Sequence, residues 1–293
     1  MNPAVLKENR THGNPLYPIT VYTFSRQAEE PLMDLHWHDE LEFLMVTRGS
    51  ADFRVGVSDY TLRPGEALFI NSGELHSGQT SDPNGCSFLA VVFHADSLAG
   101  GLDLLRDKYI LPLLERKYSV PVHLVREENG QKEILEQLDK LFHIYLEHPP
   151  LYEMTTKGYL YLALSRLLLL DEPALSRPKR HADPEWIERL KSVLSYIQEN
   201  CGETIRLKDL ADQAAMSEAH FCRSFKKITT KSPMDYINEV RAQKAAFLLQ
   251  DTDKKNTEIS LDVGFSSLSY YIDVFKRHFG CTPGEYRKRI RRD

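Results

Sequence analysis

Three absences narrow what this 293-residue sequence can be. No apolar run is long enough for a bilayer. The longest, residues 160–170, is broken by Ser165 and Arg166 and falls well short of the roughly 20 residues a spanning helix needs. The opening MNPAVLKENR lacks the apolar stretch of a secretory leader. The four cysteines, Cys86, Cys201, Cys222 and Cys281, never come into CxxC spacing, which argues against a disulfide framework or a cysteine zinc site. The expectation is a cytoplasmic protein with no membrane partner. Also missing is a basic excess over the whole chain, whose net charge is −5. The distribution says more. Residues 205–293 carry 17 Lys and Arg against 12 Asp and Glu, net +5, whereas residues 1–204 carry 20 against 30, net −10. The length suffices for two domains, one acidic and one with the positive charge that phosphate contacts require.

What is present is concentrated near the end. In residues 259–289, Ile259, Val263, Phe265, Tyr271, Phe275 and Phe279 recur near helical spacing and can pack one small core. Gly264 stands at the turn, where a missing Cβ lets the backbone take a positive φ cheaply. Lys276, Arg277 and His278 crowd one turn near the helix end, with Gly280 as a stop and Pro283 just beyond. This layout is a helix-turn-helix with a cationic edge, the geometry that lays a helix in a DNA major groove. Residues 210–229 repeat it: residues 217–225 and 266–275 take the same parts, so the second copy reads one residue longer. A helix over 233–249, with Pro233 in its first turn, is expected to brace both copies.

The stretch GFSSLSYYIDVFKRHFGCTPGEYRK, with its upstream copy, resembles the AraC/XylS family of bacterial transcription regulators over residues 186–290. The resemblance implies that Ala219, Cys222 and Arg223 in the first reader, and Leu268, Ser269, Tyr270 and Asp273 in the second, lie where the family reads base edges. Arg223 suits guanine, whose O6 and N7 accept both arms of a guanidinium; the alternative is a charge on phosphate or in water. Asp273 stands where many family members carry Arg; it repels phosphate but can accept from cytosine N4. Lys226, Lys227, Lys276 and Arg277 are expected to clamp phosphates.

Upstream the pattern is all-β. ITVYTF, LHWHDELEFLMV, ADFRVGV, EALFI and CSFLAVVF are separated by turn residues. His36, His38 and Glu42 share one face if their strand is regular. With Gly49, Gly65, Gly73 and His76 they resemble the two cupin motifs, although Asn71 and Thr80 depart from the second. The resemblance implies a β jelly-roll whose His36, His38, Glu42 and His76 face one cavity. Three imidazoles and a carboxylate are standard ligands for a divalent metal; the alternative is a polar pocket holding an effector directly, with Tyr22 and Trp37 offering stacking faces and no cofactor required. Helices are expected over 97–118, 127–148 and 152–170. In the second, Ile134, Leu138, Leu141 and Tyr145 form a stripe that serves either a core or a dimer seam. The third is apolar nearly all round and is expected to be buried.

The expected architecture is therefore mixed: an arm (1–18), a cupin-like barrel (19–96), a helical packing or dimerisation region (97–170), a linker (171–184) and an all-α double helix-turn-helix domain (185–293). The function implied is a sequence-specific regulator of transcription, not an enzyme. It is expected to be an activator engaging double-stranded DNA and RNA polymerase as a homodimer, under control of a small effector, a sugar. The alternative is a metal-dependent cupin enzyme, a dioxygenase or isomerase, with an accessory DNA-binding domain.

Overall fold

The computed structural model describes residues 6–8, 10–27, 31–98, 103–128, 130–171 and 184–290. Most of the expected linker, like the first five residues of the arm, lies outside them. Two compact units divide the chain, one within residues 7–180 and the other within residues 181–293 together with Leu6.

The strands of the first unit are β1 (Ile19–Arg26), β2 (Pro31–His36), β3 (Leu41–Arg48), β4 (Ala51–Val55), β5 (Ser58–Leu62), β6 (Ala67–Ile70), β7 (His76–Thr80), β8 (Cys86–Phe93) and β9 (His123–Leu124). All pair antiparallel, in two sheets ordered β1-β8-β3-β6-β9 and β2-β7-β4-β5. The sets 1-8-3-6 and 2-7-4-5 interleave along the chain, which is the jelly-roll arrangement. Strand β3 explains why its sequence reads as a continuous apolar run. Leu41, Phe43 and Met45 join one core cluster, with the helices, while Leu44 and Val46 join another between the sheets. Both of its faces are buried, so no polar alternation survives.

The run LHWHDELEFLMV is two strands, not one. β2 ends at His36 in one sheet and β3 begins at Leu41 in the other, with residues 37–40 crossing between them. Strands β5 and β7, SDYTL and HSGQT, were not expected; both are short and polar, and they pair with β4 through Phe53↔Tyr60 and Phe53↔Gly78.

The helix expected over 97–118 is also broken. A 3₁₀ turn spans Ala95–Ser97, and a π-helical turn, Arg106–Ile110, runs into α1 (Leu111–Leu114). Helices α2 (Gln131–Glu147) and α3 (Tyr152–Leu169) pack together and on the first sheet. Ile134, Leu138 and Leu141 are wholly buried there, so that stripe is core within the chain and cannot itself be a dimer seam. Helix α3 departs from expectation in the opposite sense. It buries Leu160, Ala163, Leu164 and Leu167 and leaves Met154, Leu162 and Leu169 exposed, because among the described residues only one side of it has a neighbour.

The second unit is helical: α4 (Pro184–Asn200), α5 (Leu207–Gln213), α6 (Glu218–Thr229), α7 (Pro233–Asp251), α8 (Asn256–Asp262), α9 (Leu268–Phe279) and α10 (Pro283–Ile290). Helix α7 starts with Ser232, whose hydroxyl accepts from the Asp235 N–H, and with Pro233, whose missing N–H costs nothing in a first turn. It buries Tyr236, Ile237, Val240, Ala242, Ala245 and Leu249. Arg241, on the same helix, donates to the carbonyls of Cys201 and Glu203 and lies over the Phe265 ring, tying α4, α7 and the second turn into one body.

Candidate DNA interface and histidine cluster

Helices α6 and α9 begin alike. Ser217 Oγ accepts from the His220 N–H and Ser267 Oγ from the Tyr270 N–H, each at 3.4 Å, filling one orphan donor of the first turn. Both helices are 12 residues long. The extra residue of the second copy lies in the turn before the cap, residues 263–267 against 214–217, so Ser267 rather than Ser266 matches Ser217. The turns reverse through left-handed residues: Ala215 at φ 54° in the first, Gly264 at φ 91° in the second.

From the caps onward equivalent positions fall 50 residues apart. Phe221 and Phe225 point inward, as do Tyr271 and Phe275. Ala219, Arg223, Leu268, Ser269, Tyr270 and Asp273 are exposed, and Cys222 is half-buried. Lys226, Lys227, Lys276 and Arg277 are exposed one turn further along. Among the described residues no ion pair engages Arg223, Lys226, Lys276 or Arg277, whereas Lys231 is held by Glu239 at 2.6 Å. Tyr270 is less open than its exposure implies: its hydroxyl accepts from Asn238 Nδ2 of α7 at 2.8 Å, which fixes the ring at the start of α9. A cleft of about 280 Å³ separates the ends of α6 and α9, with Lys226, Lys231, Arg277 and His278 in its lining. Two equivalent exposed helices on one brace, each with cations beyond it, form a surface able to follow a DNA backbone while presenting side chains to base edges.

In the first unit the four expected polar residues do come together, by a route other than a shared strand face. His36 and His76 are cross-strand partners on β2 and β7, their ring centroids 4.1 Å apart. Glu42 belongs to β3 of the opposite sheet and shares the inward face of Leu44 and Val46. His38 lies in the crossing between them, its carbonyl accepting from the Gly73 N–H at 2.7 Å. Each ring is oriented by a backbone carbonyl that its Nδ1–H donates to: Asp34 for His36 (2.8 Å), Glu40 for His38 (3.2 Å), Glu74 for His76 (2.7 Å). Glu42 Oε2 is then 3.1 Å from His38 Nε2 and 3.4 Å from His76 Nε2. His38, Glu42 and His76 are almost wholly buried, and His76 Nε2 has no hydrogen-bond partner among the described residues.

Burial, reinforced by the neighbouring His76, pushes the His36 pKa down to about 3. Burial alone would lower His38 as well, but its bond to Glu42 reverses the sign and raises it. Burial would raise Glu42; the imidazoles of His38 and His76 beside it outweigh that and hold it well below the usual carboxylate range. The donor set fits a divalent metal. The ligand nitrogens of His36, His38 and His76 lie within 4.8 Å of one another, each ring's Nδ1–H held by a carbonyl so that Nε2 is the nitrogen turned to the cluster, with a carboxylate against two of them. Ligands about 2.1 Å from a shared ion sit about 3.4 Å apart at the tetrahedral angle, and a carbonyl on the far ring nitrogen is the usual support for a ligating histidine.

The aromatic faces expected for an effector are covered by the chain itself. Lys7 Nζ lies 4.9 Å from the Trp37 ring centre and the Arg10 guanidinium 4.3 Å from that of Tyr22. Lys7 bridges to Trp37 (Glu8 N–H to Trp37 carbonyl, 2.8 Å), and Glu8 and His12 reach the cluster, Glu8 3.7 Å from His36. Both residues escaped the sequence reading, since one Glu and one His in a polar arm show no periodicity.

Residues 18–164 match the AraC-like ligand binding domain, and residues 210–289 match a helix-turn-helix domain. An uncharacterized HTH-type transcriptional regulator, YdeC of Bacillus subtilis, is 29% identical over 97% of this chain and 96% of its own length. The HTH-type transcriptional activator RhaR of Mannheimia succiniciproducens is 26% identical over 93% and 92%. Among solved structures, ToxT of Vibrio cholerae covers 92% of the chain and 98% of its own at 13% identity, with a TM-score of 0.42.

Proposed function

The chain belongs to the AraC family of DNA-binding transcription regulators and carries that family's ligand-binding domain, and from this premise we propose that it is a transcription activator whose DNA binding is set by a small effector at the His36–His38–Glu42–His76 cluster. The family is regulatory, so the metal-dependent enzyme with an accessory DNA domain is set aside. The observation that carries the proposal is the pair of equivalent exposed helices, α6 and α9, joined in one unit by α7. Activation is supported by the RhaR relative, an activator alignable over nearly the whole chain. An activator of this kind engages RNA polymerase, and two copies on adjacent sites form a homodimer.

The effector must suit a wall of acceptors, because the Nε2 atoms of His36 and His76 and the Glu42 carboxylate offer lone pairs. A sugar suits it by donating hydroxyls, and for stacking it needs Lys7 and Arg10 lifted from Trp37 and Tyr22. A divalent cation is the second reading, favoured by the convergence of the three nitrogens. The test is operator binding by fluorescence anisotropy, titrated with a panel of sugars and with divalent metals in the presence and absence of EDTA. The expected result is a change of at least ten-fold in affinity, or a changed preference for half-site spacing, with one effector. Indifference to every effector would remove the control while leaving DNA binding standing.

A further inference from the structure

Glu8 lies against the cluster from outside the two cupin motifs. Its Oε2 is 3.7 Å from His36 Nε2 and 3.8 Å from His12 Nε2. Because His36 Nδ1 donates to the Asp34 carbonyl, the neutral ring turns a lone pair, not a proton, toward the Glu8 carboxylate. The same opposition recurs at His76, whose Nδ1 donates to Glu74 while Nε2 faces Glu42. One proton on His38 satisfies only the His38–Glu42 contact. It leaves His36 facing Glu8 and His76 facing Glu42 as acceptor against acceptor. His12 adds a further buried Nε2 without a hydrogen-bond partner, its Nδ1 being taken by the Tyr22 hydroxyl at 3.0 Å. A dication resolves these contacts together. Two carboxylates and neutral imidazoles around it give a cluster of no net charge, the condition for burying ions without a large penalty.

We propose that Glu8 is a ligand, beside His36, His38, His76 and Glu42, of a divalent transition-metal ion, with His12 supporting it, so that the ion fastens Lys7, Glu8, Arg10 and His12 onto the barrel. The inference rests on the reading of the cluster as the sensing site and deepens it by naming the ligand class and a ligand residue outside the cupin motifs. The Lys7 and Arg10 cations seated on Trp37 and Tyr22 belong to the same closure: with the ion bound they stay in place, and without it the carboxylate that leads them in is repelled by the lone pairs it faces.

The experiment uses the full chain, stripped with EDTA and dialysed, with Zn²⁺ and Mn²⁺ as probes in calorimetric titration. Limited trypsin digestion follows cleavage after Lys7 and Arg10 by mass spectrometry. The expected result is one ion per chain and slower cleavage at both positions when loaded. Glu8→Gln, a change of similar shape at a partly exposed side chain, should keep the apo melting temperature, lower affinity at least ten-fold and lose the protection. Its Co²⁺ form should also differ from wild type in visible absorption, which a merely structural role would not cause. Glu42→Gln should weaken binding further; if that variant does not fold, Glu8→Gln decides alone. Glu8→Gln binding as tightly as wild type, with cleavage still slowed, overturns the assignment of Glu8 while the four-residue site survives. Failure of the wild-type chain to bind either ion at micromolar concentration overturns the metal, and leaves sugar-dependent DNA binding to be judged by its own titration.

Discussion

At the scale of single residues, Arg223 and Lys226 are the pair that would separate base reading from phosphate holding. Both are exposed on α6, one turn apart, and neither is engaged in an ion pair among the described residues. Arg223→Ala should cost about 1–3 kcal/mol and relax preference at one base position, while Lys226→Ala should weaken all sequences alike. A panel of single-base operator variants measures the difference; equal loss on every variant would move Arg223 to the backbone. A second pair concerns the turns. Ala215 and Gly264 both hold left-handed backbone, but only Gly264 has its space closed, a Cβ there falling 2.5 Å from the Cys201 carbonyl oxygen and 3.0 Å from the Arg241 guanidinium. A left-handed strain of about 1–2 kcal/mol is set against the roughly 0.4–1 kcal/mol glycine gives the unfolded chain, so Ala215→Gly should stabilise by about 0–1.6 kcal/mol. Gly264→Ala should destabilise by more than Ala215→Gly gains. Urea melts of the two variants check both signs.

At the scale of elements, the fate of α2 is decided by burial. Leu138→Ala should lower stability by about 2–5 kcal/mol, the usual range for emptying a core leucine site, and leave the association state unchanged, as denaturant titration and sedimentation would report. Loss of association at unchanged stability would return the stripe to an interface. The same element shows where the sequence stopped being informative. A 4-3-4 apolar spacing fixes a helix and its inner face but not what covers it, and α3, apolar nearly all round, could not announce which side lacked a neighbour. The two readers were legible because caps, left-handed turns, apolar spacing and cations all recur in both copies, and consistency across levels is what makes a fold readable. The crossing at residues 37–40 was not, since alternation tells which face a side chain takes and not which sheet its strand joins. The four cluster residues were nevertheless found, because the cupin spacing stood in for that geometry; Glu8 and His12 had no such spacing to give them away.

At the scale of the whole molecule, acidic and basic charge are divided between the halves of the sequence, +5 over residues 205–293 against −10 over the rest. Each phosphate contact removed should therefore flatten the salt dependence of binding by about one unit of log slope, and Lys276→Ala and Arg277→Ala together should reduce it by about two, read from affinities between 50 and 200 mM salt. Outright insensitivity of the slope to both changes would take these side chains off the backbone. The readers, alike in length and capping, differ where it matters: Arg223 on α6 is matched by Asp273 on α9. Opposite charges at equivalent places would give one DNA-bound copy of the protein a head and a tail. Its half-sites would then not be interchangeable, and exchanging their order at fixed spacing should weaken binding as much as mutating one of them. If Arg223 and Asp273 read bases as expected, a site for this protein would carry a direction of its own, and the protein would face along it one way only.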